Sequence, residues 1–564
     1  MSRFNRWLMP AILLVMSTVA AAAAGPTHAP GDDPDAAAIR ALLSRWDHAD
    51  TPGAIVAVTL GAAPVQTFVA GLADLEHSVP ITPTTVFHAA SLSKQFTAFA
   101  IVLLEQDGKL SLDDTLSTHL PEANALGAVT LRQLMNHTGG VRDQWTLLRA
   151  AGWRAEDLVT DPQVLHMLLN QRGGNFAPGT AYQYSNSGYS LLAEVVRRVS
   201  GQSLAEFCGA RIFQPLGMTH TRFQDDIAAV VPGRALSYRP AAAGYVRAVL
   251  NYATVGPSGL QTTAEDLGRW ALQLQSPTVG GEAAIRRMAE QGVLDDGTTN
   301  AYALGQERRA YNGLDTWSHG GRDAGYRSFL LRIPDQRFSV AVLSNAADFD
   351  TAAVAFAVAD HYLSSRPGYT PARPEAAVMP TREQLESYAG NYELFPGLIF
   401  TVGTDGRRLL FGQLGSPQPG ELQALSGTSF QLDPTAGIAI EFGATKGGKA
   451  SAFDYRIGLH GSILAKRIAL SPFASDNVTL ADFVGRYYSP ELATSYHLRV
   501  DGERLVAVHP RSRPIQLRAY QTDVFSGAEW YFQRVVFQRS ESGRVTGFLL
   551  SGALAEDVAF TREE

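Results

Sequence analysis

The 564-residue chain has only one cysteine, Cys208. A single cysteine excludes an intrachain disulfide and any zinc cluster built from several cysteines. The sequence also lacks a run of lysine or arginine long enough to form a basic stripe, and its formal charge is -7. We therefore expect no nucleic-acid partner. Clustered metal-ligand spacings and phosphate-binding loops are missing too, which predicts no metal and no nucleotide cofactor.

Long hydrophobic runs are missing except at the N-terminus. There, two arginines precede the apolar stretch 8–19, and an alanine run suited to cleavage ends at Ala24. The stretch is shorter than the roughly 20 residues that a membrane-spanning helix needs. We therefore predict a cleavable signal peptide over 1–24, with an uncleaved anchor as the alternative. This implies a periplasmic or secreted protein with no stable membrane insertion after signal removal, and a disordered lead-in over 25–35.

The next part of the chain mixes helical and strand patterns. Two strand-like runs, 325–333 and 338–343, flank a Pro-Asp-Gln-Arg turn, which is typical of a hairpin. Other apolar patterns predict strands at 53–60 and 65–70 and helices at 39–46 and 91–106. An antiparallel sheet with helices, of the α+β class, is therefore expected over 36–365.

A linker and a sequence repeat follow. Four prolines lie within 366–380, which predicts an extended connection. Beyond it the pattern is one of short alternating segments, and 385–392 matches 480–487 with an offset of about 95 residues. We interpret 381–472 and 473–564 as two copies of one module, each a small lipocalin-like antiparallel β-barrel.

The first chemical motif is Ser91-x-x-Lys94, at the start of the predicted helix. Residues three apart at a helix start lie on one face, so the lysine can reach the hydroxyl. A lysine held neutral by burial can accept the proton of a serine, which makes Ser91 a candidate nucleophile and Lys94 its base. Alone, the pattern equally suits a helix cap beside a solvated lysine.

The second motif is Tyr184-x-Asn186, ahead of another apolar helical stretch. Next to a Ser-Lys pair, the phenol can relay protons and the amide can orient the lysine or substrate. In isolation these residues are a core tyrosine and a turn asparagine. Tyr182 competes for the role of Tyr184.

The third motif is the strand segment His319-Gly320-Gly321-Arg322. Two adjacent glycines let a substrate backbone approach, and the N–H groups of Ser91 and Arg322 are candidate donors to an oxyanion. His319 is expected to line the site. A glycine turn with a surface histidine is the alternative interpretation.

In this order the three motifs resemble those of the β-lactamase-related serine hydrolases, which include class C β-lactamases, D,D-carboxypeptidases, D-aminopeptidases and esterases. The family's elements are Ser-x-x-Lys, Tyr-x-Asn and a Lys/His-x-Gly strand. The resemblance implies a β-lactamase/transpeptidase-like first domain. It also implies an acyl-enzyme mechanism in which Ser91 attacks and Lys94 and Tyr184 share the proton transfers.

A catalytic domain followed by two barrel modules is similar to the D-aminopeptidase branch, as are the stretches 71–76 and 141–145. This implies a small peptide substrate with an N-terminal D-amino acid. The last module departs from the branch, because the short connection 522–530 offers no evident loop that would reach over the active site.

His319 stands where many relatives have lysine. Histidine is mostly neutral at pH 7, which weakens carboxylate recognition unless Arg322 compensates. The sequence thus favours amine-ended peptides or neutral esters. A short-acyl esterase, a D,D-carboxypeptidase or β-lactamase, and a non-catalytic penicillin-binding-like sensor stay open as alternatives.

Overall fold

A computed structural model describes residues 34–563 of the chain, with gaps at 372–378, 415–418, 434–437, 444, 458–461 and 471–478. The predicted signal peptide 1–24, most of the lead-in 25–35 and the middle of the linker 366–380 lie outside the described residues. Among the residues that are described, no helix combines the length and the apolar character needed to cross a bilayer.

The first domain is built on a six-stranded antiparallel sheet. The predicted hairpin is present, with a 3-10 turn at Pro334–Gln336 and Ile333 paired with Phe338. The predicted strands near 53–60 and 65–70 are also confirmed and lie beside it. In spatial order the strands are Glu307–Tyr311, Leu314–Asp323, Tyr326–Ile333, Phe338–Ser344, Ala54–Leu60 and Gln66–Ala70.

Helices cover both faces of this sheet, which is why its central strands are apolar on both sides. Pro34–Leu43 and Thr351–Leu363 pack on one face. The other face is covered by a larger helical layer around Ser93–Gln106, a helix buried along nearly its whole length. The other helices of the domain are Leu116–His119, Leu131–Met135, Gln144–Ala150, Asp161–Leu169, Asn186–Ser200, Leu204–Cys208, Ala264–Gln275 and Gly281–Met288.

Short strands and turns connect these layers. Phe87–His88, Leu260–Thr262 and Arg222–Phe223 form a three-stranded sheet next to the start of the buried helix. Two further small sheets pair Leu72–Asp74 with Val79–Pro80 and Tyr238–Pro240 with Tyr245–Arg247. Single helical turns occur at Ser44–Trp46, Ala90–Leu92 and Asn124–Leu126, and a π-helical turn at Gly209–Phe213.

Each C-terminal module is a closed eight-stranded barrel in which every strand pairs with its neighbour in sequence, apart from a small two-stranded excursion in the first barrel, Thr445–Lys446 with Lys449–Ala450. The first barrel comprises Gly390–Phe395, Leu398–Thr404, Leu409–Gln413, Gly420–Ala424, Ser429–Asp433, Ile438–Phe442, Ala452–Ile457 and Ser462–Ile468. The second comprises Gly485–Ser489, Thr494–Asp501, Arg504–Val508, Ile515–Gln521, Val524–Glu529, Phe532–Arg539, Val545–Ser551 and Val558–Arg562.

The sequence repeat corresponds to equivalent contacts in the two barrels. The hydroxyl of Tyr392 donates to the Tyr388 carbonyl (2.7 Å), and that of Tyr487 donates to the Phe483 carbonyl (2.9 Å). Each repeated segment begins in a helical turn, Arg382–Tyr388 in one copy and the 3-10 turn Leu480–Phe483 in the other, and ends in the first strand of its barrel. A polar capping residue three positions before an amide or carboxylate starts both turns, a local signal that outweighs the surrounding β pattern.

The second barrel, not the first, shares its hydrophobic core with the catalytic domain. Its main anchor is a buried ion pair between Arg142 and Glu491, with N–O distances of 2.9 and 3.0 Å and side chains 7% and 4% exposed. The same guanidinium donates to the carbonyl groups of Glu556 and Asp557. The Tyr496 hydroxyl of the barrel also donates to a carbonyl in the helix Gln144–Ala150 (3.0 Å). This helix is therefore held between the barrel and the catalytic domain.

We expect Glu491→Gln to lower the free energy of unfolding by about 3 kcal/mol, because it leaves the Arg142 charge buried without its counter-ion. Glu421→Gln is the matched control: its carboxylate pairs with Arg408 on the first barrel at 50% and 55% exposure. Such a surface pair contributes about 1 kcal/mol or less. Urea unfolding of both full-length variants measures the difference, and equal effects would contradict the role given to Glu491.

Candidate active site

Ser91 lies in the 3-10 turn Ala90–Leu92, directly before the buried helix Ser93–Gln106. The turn is strained, because Ala90 has a φ of 49°, in the left-handed region that alanine rarely adopts. The Ser93 hydroxyl holds it by donating to the Ala90 carbonyl (2.6 Å) and accepting the Leu260 N–H (3.1 Å). The turn presents Ser91 at the start of the helix, where its side chain reaches the surface of a cavity.

The amine of Lys94 is buried among three oxygen atoms. Nζ lies 2.9 Å from Asn186 Oδ1, 2.9 Å from the Pro257 carbonyl oxygen and 3.2 Å from Ser91 Oγ. The first two are acceptors only, so they take two N–H bonds of the amine in either protonation state. The third partner is a hydroxyl, which can donate. A neutral Lys94 therefore directs its lone pair at Ser91 Oγ.

Burial also makes the neutral amine accessible. It lowers the pKa of Lys94 to about 7, although the charges of Asp143 and Asp323 act in the opposite direction. A pKa near the working pH is what an efficient general base requires. The geometry and the pKa of Lys94 thus both suit it to act as a general base toward Ser91.

Asn186 is fixed in the orientation that Lys94 needs. Its backbone N–H and its side-chain Nδ2 both donate to Asp143 Oδ2, at 2.8 and 2.9 Å, which leaves Oδ1 facing the amine. Asp143 caps the helix Gln144–Ala150, and its N–H donates to the Leu554 carbonyl of the second barrel (2.9 Å). A continuous chain of hydrogen bonds therefore joins the barrel to Lys94.

Tyr184 lies against the lysine, with Lys94 Nζ 4.8 Å from the ring centroid. Burial raises the pKa of Tyr184 well above its ordinary value, and a hydrogen bond to Ser91 offsets this only in part. The phenol therefore keeps its proton and is suited to donate it. Tyr182 is 41% exposed and does not line the cavity, so Tyr184 is the tyrosine at the amine.

His319 is buried with both ring nitrogens engaged. Nε2 lies 2.8 Å from the hydroxyl of buried Tyr302, which donates to it, and Nδ1 donates to the Gly320 carbonyl (2.6 Å). Burial lowers the pKa of His319 to about 3, and the Lys94 charge adds to the effect. His319 is therefore neutral at pH 7 and presents no cation to a substrate.

The strand Leu314–Asp323 runs directly past the turn Ala90–Leu92, which carries Ser91. A Cβ placed on Gly321 would lie 2.5 Å from the Ala89 carbonyl oxygen, so only glycine fits this approach. In the described part of the chain, the outer neighbour Glu307–Tyr311 pairs only as far as Ser318. Beyond that point the strand is an open edge, where Gly320 and Arg322 line the same cavity as Ser91. The predicted oxyanion donors, the N–H groups of Ser91 and Arg322, are thus at one cavity wall and stay a prediction.

The cavity has a volume of about 640 Å³. Aromatic and aliphatic side chains form one side of it, which we call the apolar lobe: Trp145, Leu148, Trp153 and Tyr252. The Trp145 and Tyr252 rings pack with centroids 4.7 Å apart. Every described residue that lines the cavity lies between 91 and 329, so the second barrel supports the wall from behind without entering it.

The structure brings together all the residues that the motifs single out: Ser91, Lys94, Tyr184, Asn186, His319, Gly320, Gly321 and Arg322. Sequence reasoning missed Asp143, Tyr302 and Asp323 as parts of the site. Asp143 carries a local signal, since it is a helix-capping aspartate within a stretch similar to the family. No local pattern marks Tyr302 or Asp323, which reach the site through sheet and loop packing.

Comparison with known proteins gives matches over the whole catalytic domain. A family model described as Beta-lactamase matches residues 38–363. The D-aminopeptidase of Gluconobacter oxydans (strain 621H) is 28% identical over 309 residues. The match spans 55% of this chain and 58% of that relative, which is less than two thirds of its length. The D-aminopeptidase of Brucella canis is 26% identical over 534 residues, 91% of this chain and 96% of that protein.

Among solved structures, the D-amino acid amidase from Ochrobactrum anthropi SV3 complexed with L-phenylalanine amide superposes with a TM-score of 0.52. The sequences are 21% identical, and the match covers 59% of this chain and 100% of that chain. At this identity the likeness concerns the fold.

We expect kcat/KM for Ser91-dependent hydrolysis of p-nitrophenyl acetate to rise with pH through an inflection near 7. Below the Lys94 pKa of about 7 the amine is protonated and cannot accept the serine proton; above it, the neutral base predominates. Lys94→Arg, which stays protonated, should be inactive across the whole range. Rates are corrected with Ser91→Ala, and a profile with no inflection between about pH 6 and about pH 8 would contradict the assignment.

Proposed function

The chain belongs to the Beta-lactamase family of serine hydrolases, and within that family we propose that it releases the N-terminal D-amino acid from small peptides and amides. The observation that carries the proposal is the Lys94 amine, held by two acceptors with its third position directed at Ser91 Oγ. This arrangement suits acyl transfer through a serine ester.

In the proposed reaction, Ser91 Oγ attacks the carbonyl carbon of the scissile amide while its proton passes to neutral Lys94. The negative charge that develops on the carbonyl oxygen is stabilised by the N–H groups of Ser91 and Arg322. Collapse of this intermediate breaks the C–N bond and leaves the acyl group on Ser91. Water then attacks the ester and gives a proton to Lys94. The bond between the acyl carbon and Ser91 Oγ breaks, the proton on Lys94 passes to Ser91 Oγ, and the acid product leaves.

Tyr184 is assigned to the leaving group. Because its phenol keeps its proton, Tyr184 donates that proton to the departing nitrogen and is reprotonated from the Lys94 ammonium. Ser91 Oγ, which lies 3.2 Å from Lys94 Nζ and is hydrogen-bonded to Tyr184, offers a path for this proton. Proton transfer of this kind contributes about 100- to 10,000-fold to the rate.

The substrate class is supported by two observations. The Brucella canis relative, named a D-aminopeptidase, matches 91% of this chain and is matched over 96% of its own length. His319 is held neutral by Tyr302, so it lacks the fixed cation that would favour a substrate carboxylate. The apolar lobe offers space for the side chain of the terminal residue.

We also propose that the enzyme acts after export, on the basis of the pattern over 1–24. N-terminal sequencing of the exported chain is expected to begin at Gly25; a chain that retains its first residues would contradict cleavage.

The central experiment is release of p-nitroaniline from D-alanyl-p-nitroanilide by the full mature chain. We expect turnover that is lost in Ser91→Ala, because the nucleophile is removed while the fold is kept. The matched pair Tyr184→Phe and Tyr182→Phe tests the leaving-group role: the first should lose about 100-fold or more in kcat, and the second should retain most of it.

Two results would redirect the proposal. Hydrolysis of p-nitrophenyl acetate by Ser91 without any release of p-nitroaniline would make the protein a short-acyl esterase. Failure of a fluorophosphonate to label Ser91 would favour a non-catalytic sensor.

A further inference from the structure

Three carboxylates line the cavity, and they differ in their partners. Asp157 lies 3.0 and 2.5 Å from the guanidinium groups of two arginines, and Glu307 lies 2.8 Å from that of one. Asp323 is different: among the described residues it forms no ion pair with a lysine or arginine. The ionisable group within hydrogen-bond distance of it is an imidazole, 3.0 Å away. Asp323 is therefore the carboxylate of this cavity that lacks a bound cation.

The imidazole is that of His88, and its neighbours fix the position of its proton. Arg234 donates to Gln224 Oε1, so this oxygen can only accept from Gln261, at 3.0 Å. The contacting atom of Gln261 is therefore Nε2, which also donates to His88 Nδ1 (3.2 Å). With Nδ1 accepting, the proton lies on Nε2 and is donated to Asp323 Oδ2. The partner of Asp323 is thus the Nε2–H tautomer of the imidazole, which donates a hydrogen bond without adding a positive charge.

The two oxygens of Asp323 have different surroundings. Oδ2 receives hydrogen bonds from His88 Nε2 and from the Ser258 hydroxyl (2.9 Å). In the part of the chain that the structure describes, no donor contacts Oδ1. The side chain is 16% exposed and lines the cavity. The carboxylate is therefore held rigidly by one oxygen and offers the other.

Its place on the strand puts this oxygen beside the reacting centre. Side chains at alternate strand positions share a face, so Asp323 lies on the same face as His319 and Gly321. Gly321 packs against the nucleophile turn, and Asp323 is two residues further, about 7 Å along the strand. This is the range in which a group attached to the carbon next to the scissile carbonyl would lie.

We propose that Oδ1 of Asp323 binds the α-ammonium group of the substrate and thereby selects amine-ended substrates. The inference rests on the proposed function and assigns the residue that recognises the substrate terminus. A charge-assisted hydrogen bond to a desolvated carboxylate is among the stronger polar contacts in proteins. The substrate ammonium and the neutral Lys94 do not compete for acceptors. The ammonium binds Asp323 Oδ1, whereas Lys94 donates to Asn186 Oδ1 and the Pro257 carbonyl oxygen.

Arg322 is the group that would oppose this role. It is adjacent to Asp323, lines the same cavity and projects from the other face of the strand. If the substrate terminus were a carboxylate, Arg322 would be its receptor and Asp323 would repel it. The two residues thus make opposite predictions about the charge that the cavity accepts.

The test compares Asp323→Asn with Glu307→Gln, a matched change of a cavity carboxylate to its amide. Asparagine retains an oxygen that accepts from His88 and Ser258 but loses the charge. For D-alanyl-p-nitroanilide we expect Asp323→Asn to lower kcat/KM at least about 30-fold. For p-nitrophenyl acetate, which has no ammonium group, kcat/KM should not fall, because removal of the Asp323 charge lowers the Lys94 pKa and leaves more of the base neutral near pH 7. Glu307→Gln should spare both substrates.

A second measurement keeps the inference testable if the enzyme proves to be an esterase. D-phenylalanine amide and its N-acetyl derivative compete against p-nitrophenyl acetate in the unmodified protein and in Asp323→Asn. We expect the free amine to inhibit at least about tenfold more strongly than the acetylated form, and this preference to vanish in the variant. An absent preference in the unmodified protein would overturn the role of Asp323, as would equal losses on amine and ester substrates in Asp323→Asn. If the unmodified protein releases no p-nitroaniline but keeps its preference for the free amine in this competition, the proposed function is overturned and the role of Asp323 is not.

Discussion

The site depends on the position of one buried amine. Lys94 Nζ is held by Asn186 Oδ1 and the Pro257 carbonyl, and these two acceptors leave one direction for its lone pair, toward Ser91 Oγ. Burial brings the pKa of the same amine to about 7. If either acceptor moved, Lys94 would keep its basicity, but its lone pair would no longer point at Ser91 Oγ. Proton transfer over a hydrogen bond requires both.

The supports of that amine extend far from it in sequence. Asn186 is oriented by Asp143, Asp143 is held by the Leu554 carbonyl, and the neighbouring Arg142 is paired with Glu491. Two of these partners belong to the second barrel. The barrel therefore has a defined physical relation to the proposed active site: it supports the cavity wall from behind and fixes the hydrogen-bond chain that ends at Lys94.

Few side chains near Ser91 carry a permanent charge. Tyr302 and the Gly320 carbonyl hold His319 neutral, and burial keeps the proton on Tyr184. Among the described residues, the wall next to Ser91 thus carries little permanent positive charge other than that of Arg322, and no lysine or arginine forms an ion pair with Asp323. Such a distribution suits a substrate that brings its own positive charge.

Much of this protein was predictable from its sequence. Ser91, Lys94, Tyr184, Asn186 and the strand 319–322 stand in short motifs, because nucleophile, base and oxyanion donors need fixed local spacing on a helix start, a loop and a strand. Apolar periodicity indicated strands and the buried helix, and short alternating segments repeated at an offset of about 95 residues indicated the two barrels. These are properties of neighbouring residues, which the order of amino acids determines directly.

Other features were decided by tertiary structure alone. Glu491 meets Arg142 across 349 residues of sequence, and Asp323 meets His88 across 235. No local pattern marks such partners, since any surface of compatible shape and charge could have supplied them. The surroundings that the fold creates decide three things: which barrel docks on the first domain, how acidic or basic each buried group becomes, and which carboxylate keeps one oxygen open. Burial and distance, the two quantities that set a pKa and a hydrogen bond, exist only once the chain has folded.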